Sequence, residues 1–236
     1  MGNISLVRVG GVCAILVVAS FIAAIVVQFV IGDLGPGDLA RNPGQSLLDV
    51  DRDRTAFVTF EWFFLLAAVL LIPVALGFHQ ALNRTGAALW IAVAAVFTGA
   101  VLLIAASVTL IGVAYELAPD YVEASESTRP ALAAMASTLG ITALIEIRLG
   151  YLLSLGIGVG LFAIASLGTS VVPRWIGWLG LMAALLGGLL RALAPVSDVF
   201  GNIGFLGFLA FLVWIMAMGV VMLRLQEPAE TTISGA

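Results

Sequence analysis

The sequence predicts an all-α integral membrane protein, a bundle of six transmembrane helices with both termini in the cytoplasm. Of the 236 residues, 62% are hydrophobic and only 10% are charged, against about 45–50% apolar and about 25% charged residues in an average soluble domain. The apolar residues fall into six runs, each close to the roughly 20 residues that a helix needs to cross the hydrocarbon core. Such runs are too long and too uniformly apolar for the alternating strands of a membrane β-barrel.

The six spans are predicted at about residues 8–31, 57–79, 87–114, 143–168, 175–195 and 202–224. Together they form one transmembrane domain over residues 1–226, and residues 227–236 are expected to be a disordered tail. The first run is longer than the roughly 7–15 apolar residues of a signal peptide, so we expect it to be retained as a helix.

Two longer polar connections are predicted on the same side of the membrane. The first covers residues 32–56 and is rich in Asp and Arg. The second covers residues 117–142 and contains the pair Arg129-Pro130. Because proline in the first turn is typical of a helix start, we expect a short surface helix from this pair to about Gly140.

Arginines near the span ends predict the orientation of the bundle. With six spans, one side of the membrane carries both termini, the two short connections and four arginines, Arg8, Arg84, Arg174 and Arg224. Positive residues in short loops are retained in the cytoplasm, so the two acidic connections should face outward. The absence of Lys and the Ala-, Val-, Gly- and Leu-rich composition suit a GC-rich prokaryotic genome. We therefore expect a multipass protein of a prokaryotic plasma membrane.

The composition also excludes several kinds of chemistry. Cys13 is the sole cysteine and His79 the sole histidine, and the sequence has no Lys. An intrachain disulfide, a Cys-based zinc or iron–sulfur site and a lysine Schiff base are therefore excluded, and no cofactor or metal is predicted. The net charge of -4 gives no basic surface for nucleic acid.

Ionisable residues inside the spans are the candidate site residues, because charges in the bilayer are costly and rarely kept without a role. They are Glu61, Glu116, Glu146, Arg148 and Arg191, and the predicted topology puts all five toward the outer face. One interpretation is a polar pocket that opens outward, with Arg191 close to Glu61 or Glu146. The other is structural, since a charged side chain within a turn of the interface can reach the headgroups or form an ion pair.

Small residues predict close packing between helices. Gly156 and Gly160 form a GxxxG pair, and Gly201, Gly204 and Gly207 recur in the last span. Such glycines let helix backbones approach within one chain or between two copies. The expected partners are membrane lipids, with other membrane subunits or a second copy of the chain as alternatives.

One segment carries a family resemblance. Residues 165–181, ASLGTSVVPRWIGWLGL, combine a helix end, a Ser/Gly-rich turn, a Pro-Arg restart and a Gly-rich Trp/Leu segment. This pattern resembles a hallmark of the DUF4386 family of multipass membrane proteins. The length, the six-span layout and the polar first connection are similar too. The resemblance implies a membrane protein and no known activity.

These observations leave three classes of function open. The first is a non-enzymatic membrane protein, either an accessory or scaffolding subunit or a sensor of a small ligand. The alternative is a transporter of a small molecule or lipid, with a polar pocket that opens to the outer face. An intramembrane enzyme with Glu61 or Glu146 as base is disfavoured, because one His and one Cys offer few metal ligands or nucleophiles beside those carboxylates.

Overall fold

The computed structural model describes residues 5–32, 34–82, 86–193 and 198–225, and all regular structure in these ranges is helical. The described ranges contain ten α-helices: α1 (Leu6–Ile31), α2 (Pro36–Arg41), α3 (Pro43–Arg52), α4 (Arg54–Ala81), α5 (Ala87–Gly112), α6 (Ala118–Glu123), α7 (Arg129–Tyr151), α8 (Gly160–Leu167), α9 (Arg174–Ala183) and α10 (Asp198–Arg224). Three π-helical segments continue them without a break. They are Val113–Leu117 between α5 and α6, Leu152–Val159 between α7 and α8, and Ala184–Leu190 after α9.

Five helical stretches are long and apolar enough to cross a membrane. They are Leu6–Phe29, Arg54–Ala81, Ala87–Glu123, Arg129–Leu167 and Ile203–Arg224. A further apolar helix, Arg174–Leu190, has only 17 residues. The prediction of an all-α membrane protein is therefore confirmed, while the sixth crossing and the side of each terminus stay predictions. The predicted tail, residues 227–236, and Arg84 lie outside the described residues.

Large apolar side chains cover the outside of the helices. Phe29, Trp90 and Trp178 are among the most exposed, although soluble proteins rarely expose extended apolar surface. These side chains suit contact with lipid tails.

The helix around Gly140 differs from its prediction. The expectation of a separate surface helix that ends near Gly140 is wrong, because α7 runs through this position from Arg129 to Tyr151. Gly140 serves close packing here: a Cβ at this position would lie 2.8 Å from the Pro36 carbonyl oxygen and 2.9 Å from the Ala40 nitrogen. Glycine ends a helix where it takes a positive φ, and among the described glycines only Gly32 does so.

The first polar connection folds into a small cap formed by α2 and α3. Leu39, Leu47 and Val50 of the cap are fully buried in a core that they share with α5 and α7. The Ser137 hydroxyl of α7 donates a hydrogen bond of 3.0 Å to the Ala40 carbonyl. The cap is thus fixed to the bundle by apolar burial and by a polar contact.

A close glycine contact marks the end of the bundle opposite the cap. A Cβ on Gly10 of α1 would lie 2.9 Å from the Gly77 Cα of α4 and 2.7 Å from Met222 of α10. The start of α1 therefore meets the ends of α4 and α10. We call this the termini end, and it lies opposite the cap end. Arg8 and Arg224 both lie at the termini end.

Candidate functional site

A polar cavity lies beneath the cap, at the cap end of the bundle. Its volume is about 280 Å³, and it is lined by polar side chains from five parts of the fold, Gln28, Asp38, Glu61, Tyr151 and Arg191, together with apolar residues. We call this cavity the polar chamber. Gly32 has a φ of 65°, which lets the chain leave α1 and turn toward the cap. The Gln28 side-chain amide donates a hydrogen bond to the Gly32 carbonyl.

Arg191 is held in the polar chamber by aromatic rings. Its guanidinium carbon lies 4.4 Å from the ring centroid of Tyr151 and 5.7 Å from that of Phe208. Both distances are within the range of a cation–π interaction. A Cβ on Gly204 would lie 2.8 Å from the Arg191 Cβ, so the absence of a side chain there lets α10 approach Arg191 closely.

Tyr151 and Arg191 each border a π segment. Tyr151 directly precedes Leu152–Val159, and Arg191 directly follows Ala184–Leu190. The two segments pack against each other, since a Cβ on Gly188 would lie 2.3 Å from the Gly156 Cα. π-Helical turns occur frequently at functional sites. The packing of these segments sets the position of the stacked pair.

A second cavity, of about 350 Å³, is mainly aromatic, and we call it the aromatic chamber. Phe21 packs edge-to-face on Phe64 and Phe208, with centroid distances of 5.6 and 5.1 Å. Phe29 and Phe205 also line the chamber, and both are exposed on the outer surface of the bundle. The aromatic chamber therefore opens on the outer surface of the bundle between α1 and α10.

The two chambers form one cleft. They share five lining residues, Gln28, Phe60, Phe64, Tyr151 and Arg191. Each chamber alone is near the lower end of the roughly 300–1,000 Å³ range of ligand pockets. The cleft is thus polar beneath the cap and apolar toward the lipid, with Arg191 at the junction.

Glu61 is the most deeply buried charged residue of the cleft. Its side chain belongs to α4 and is 3% exposed. In the part of the chain that the structure describes, the ion pairs within 4.0 Å involve Arg52 and Arg54 only. Glu61 and Arg191 therefore share a cavity without forming a direct ion pair.

The other three predicted site residues lie away from the two chambers. Glu116 is exposed within the π segment Val113–Leu117, and Arg148 is half-buried on α7. Glu146 is also half-buried, and its Oε2 has no hydrogen-bond partner among the described residues. Neither chamber is lined by any of the three. The structure thus brings Glu61 and Arg191 together, and a role for the other three stays a prediction.

Sequence reasoning missed several side chains of the cleft, among them Gln28, Asp38, Tyr151 and Phe208. Gln28 had a signal, because it is the one strongly polar residue in the first apolar run. Tyr151 and Phe208 had none, since aromatic residues are frequent in membrane helices and a stacking role depends on tertiary contact. Within the described ranges, no group of three His, Cys, Asp or Glu residues could hold a metal ion.

A bundle of apolar helices with a capped cleft at one end defines this chain as a multipass helical membrane protein. The chain belongs to the family described as a domain of unknown function (DUF4386), whose family model matches residues 8–219. This match confirms the resemblance carried by residues 165–181. No curated protein and no solved structure matches the chain.

Proposed function

We propose that this protein is a non-enzymatic, ligand-sensing membrane protein and that its ligand is an amphiphile. The polar head of the ligand occupies the polar chamber against Arg191, and its apolar part occupies the aromatic chamber. This two-part fit matches the division of the cleft into polar and apolar halves.

The position of Arg191 carries this proposal. A guanidinium forms bidentate hydrogen bonds with phosphate or carboxylate and stacks on aromatic faces at the same time. Arg191 is already stacked on Tyr151, and no carboxylate lies within 4.0 Å of it among the described residues. Its hydrogen-bonding edge therefore remains available to an anionic group of the ligand.

The lateral opening of the aromatic chamber favours a ligand from the bilayer. Phe29 and Phe205 flank this opening, and Phe29 is 85% exposed. An acyl chain can extend from the chamber into the surrounding lipid between α1 and α10.

Dense aromatic packing below the cleft favours sensing over transport. Phe78 packs edge-to-face on Phe162 and Trp214, with centroid distances of 5.7 and 5.3 Å, and all three side chains are at most 2% exposed. A cavity beside them has a volume of only about 20 Å³, roughly the space of one water molecule. A transporter would have to open this layer toward the termini end.

We further propose six crossings, with the cap outside a plasma membrane and both termini inside the cell. The sixth span is Arg174–Leu190, whose 17 residues are at the lower end of the roughly 17–25 residues of a transmembrane helix. Arg8, Arg174 and Arg224 would then all lie on the cytoplasmic side, as positively charged span ends do. The cleft would open to the outer leaflet.

The test is retention of phospholipid by the purified protein. The protein in detergent is mixed with equal amounts of dioleoyl phosphatidylethanolamine and phosphatidylglycerol, and bound lipid is counted by native mass spectrometry. We expect bound lipid on the wild type and an about tenfold weaker affinity in Arg191→Gln, because charge-assisted hydrogen bonds are lost. Arg129→Gln is the matched control, because this exposed arginine stacks on Tyr121 outside the cleft. Equal retention by all three proteins would contradict the proposal.

A further inference from the structure

We infer that the cleft selects a zwitterionic headgroup, with the ligand's phosphate on Arg191 and its ammonium group next to Glu61. This inference rests on the proposed function and deepens it, because it names the chemical class of the amphiphile. Phosphoethanolamine and phosphocholine headgroups have this charge arrangement.

An acidic side chain, Glu61, and a cationic one, Arg191, face the same space without pairing with each other. Both line the polar chamber, as does Asp38. The Tyr151 ring covers one face of the guanidinium at 4.4 Å. Within the described ranges neither Glu61 nor Arg191 has an ion-pair partner within 4.0 Å. A ligand with both charges can therefore pair with each side chain at the same time.

Because Glu61 is deeply buried, the charges of the headgroup should affect binding affinity strongly. At 3% exposure, a carboxylate without a cationic partner carries a large desolvation cost. An anionic headgroup would satisfy Arg191 but would offer Glu61 no cationic partner. A ligand ammonium supplies the missing partner for Glu61, so the zwitterion is favoured over the anion.

The rings beside Glu61 suit an ammonium group as well. Phe60 directly precedes Glu61 and Phe64 lies three residues after it. Both line the polar chamber, and their ring centroids are 6.1 Å apart. Aromatic faces attract ammonium and quaternary ammonium groups through the cation–π interaction. Arg191 already occupies the Tyr151 ring, and Phe64 packs edge-to-face on Phe21 and Tyr151. The half-buried Phe60 is therefore the ring of the polar chamber that is most available to the ligand.

The lateral opening favours a bilayer phospholipid over a free zwitterionic solute. The same headgroup chemistry can come from either source, and the difference lies in the acyl chains. A phospholipid fills both chambers, whereas water-soluble glycerophosphoethanolamine fills the polar chamber only. The phospholipid should therefore bind more tightly than the free solute.

The ratio of the two bound lipids tests this inference, whereas the total bound lipid tests the proposed function. From the equimolar mixture we expect the wild type to retain phosphatidylethanolamine about tenfold over phosphatidylglycerol, the order of a charged hydrogen bond. Glu61→Gln should retain lipid but lose this preference, and the exposed control Glu123→Gln should keep it. Glycerophosphoethanolamine should displace little lipid.

The outcomes distinguish the zwitterion inference from the proposed function. Bound lipid at a ratio near one, or an excess of phosphatidylglycerol, overturns the zwitterion inference and leaves the proposed function standing. No bound lipid on the wild type overturns the proposed function itself. Full displacement by glycerophosphoethanolamine would overturn the bilayer as the source. The wild-type ratio decides the inference even if Glu61→Gln does not fold.

Discussion

The Arg191 guanidinium carbon lies 4.4 Å from the ring centroid of Tyr151, and the two residues come from helices whose π segments pack against each other. Tyr151 is 3% exposed, so the ring is a fixed platform rather than a mobile surface group. This stacked pair orients the one arginine that lines both chambers of the cleft. The account of ligand binding depends on this orientation.

Loss of the Tyr151 ring should weaken ligand binding. A desolvated cation–π contact contributes about 2 kcal/mol, so we expect Tyr151→Leu to weaken lipid affinity roughly 30-fold. Tyr151→Phe keeps the ring and should stay close to the wild type. Lipid titration followed by native mass spectrometry measures both variants. If Tyr151→Phe loses as much affinity as Tyr151→Leu, the ring face does not position Arg191.

Gly156 and Gly188 face each other, and their substitution by alanine should lower stability to different extents. A Cβ on Gly188 would lie 2.3 Å from the Gly156 Cα, whereas the contact nearest to a Cβ on Gly156 is 3.4 Å, to the Leu152 side chain. We expect Gly188→Ala to lower the free energy of unfolding by about 1–3 kcal/mol through overpacking. Gly156→Ala should change it little. Thermal unfolding in detergent compares the two variants.

Gly112→Ala is the control for this comparison, because a Cβ there meets nothing within 4 Å and alanine favours the helix. Equal losses in Gly156→Ala and Gly188→Ala would contradict the packing described for the two π segments.

The cap should detach from α7 when a side chain is added at the point where the two backbones meet. A Cβ on Gly140 would lie 2.8–2.9 Å from backbone atoms of Pro36 and Ala40, which cannot move aside as a flexible side chain can. We expect Gly140→Ala to increase protease cleavage within residues 34–53. Gly37→Ala changes the cap where a Cβ meets nothing within 4 Å, and should leave cleavage unchanged. Unchanged cleavage in Gly140→Ala would mean that α2 does not dock closely on α7.

The six-span proposal predicts which positions share a side of the membrane. In a Cys13→Ala background, single cysteines replace Asp120, Ser170 or Leu225, and intact cells are treated with a membrane-impermeant thiol reagent. We expect labelling at position 120 only, because positions 170 and 225 would both face the cytoplasm. If helix Arg174–Leu190 does not cross, positions 170 and 225 lie on opposite sides and one of them changes its labelling.

Features that depend on local composition could be predicted from the sequence. Apolar runs predicted the helical membrane fold, and Glu61 and Arg191 were found because a charge inside a span is costly and therefore conspicuous. Gly140 was misinterpreted as a helix end, because a glycine that ends a helix and one that permits a close contact look the same in sequence. Its role depends on α2, which lies about a hundred residues earlier in the chain.

Tertiary contact decides the rest of the cleft. Tyr151 and Phe208 resemble any other aromatic residue of a membrane helix until their rings meet Arg191. The π segments have no pattern in the sequence that sets them apart from the neighbouring apolar helix. Glu116, Glu146 and Arg148 share the composition signal of Glu61, but their helix faces lie outside the two chambers.

The most direct test of the account is an experimental structure of the protein in a nanodisc that contains phosphatidylethanolamine. We predict headgroup density in the polar chamber, in contact with the Arg191 guanidinium, and acyl-chain density that leaves between α1 and α10 beside Phe29 and Phe205. A cleft closed by a direct ion pair between Arg191 and Glu61, with lipid only on the outside of the bundle, would contradict the account.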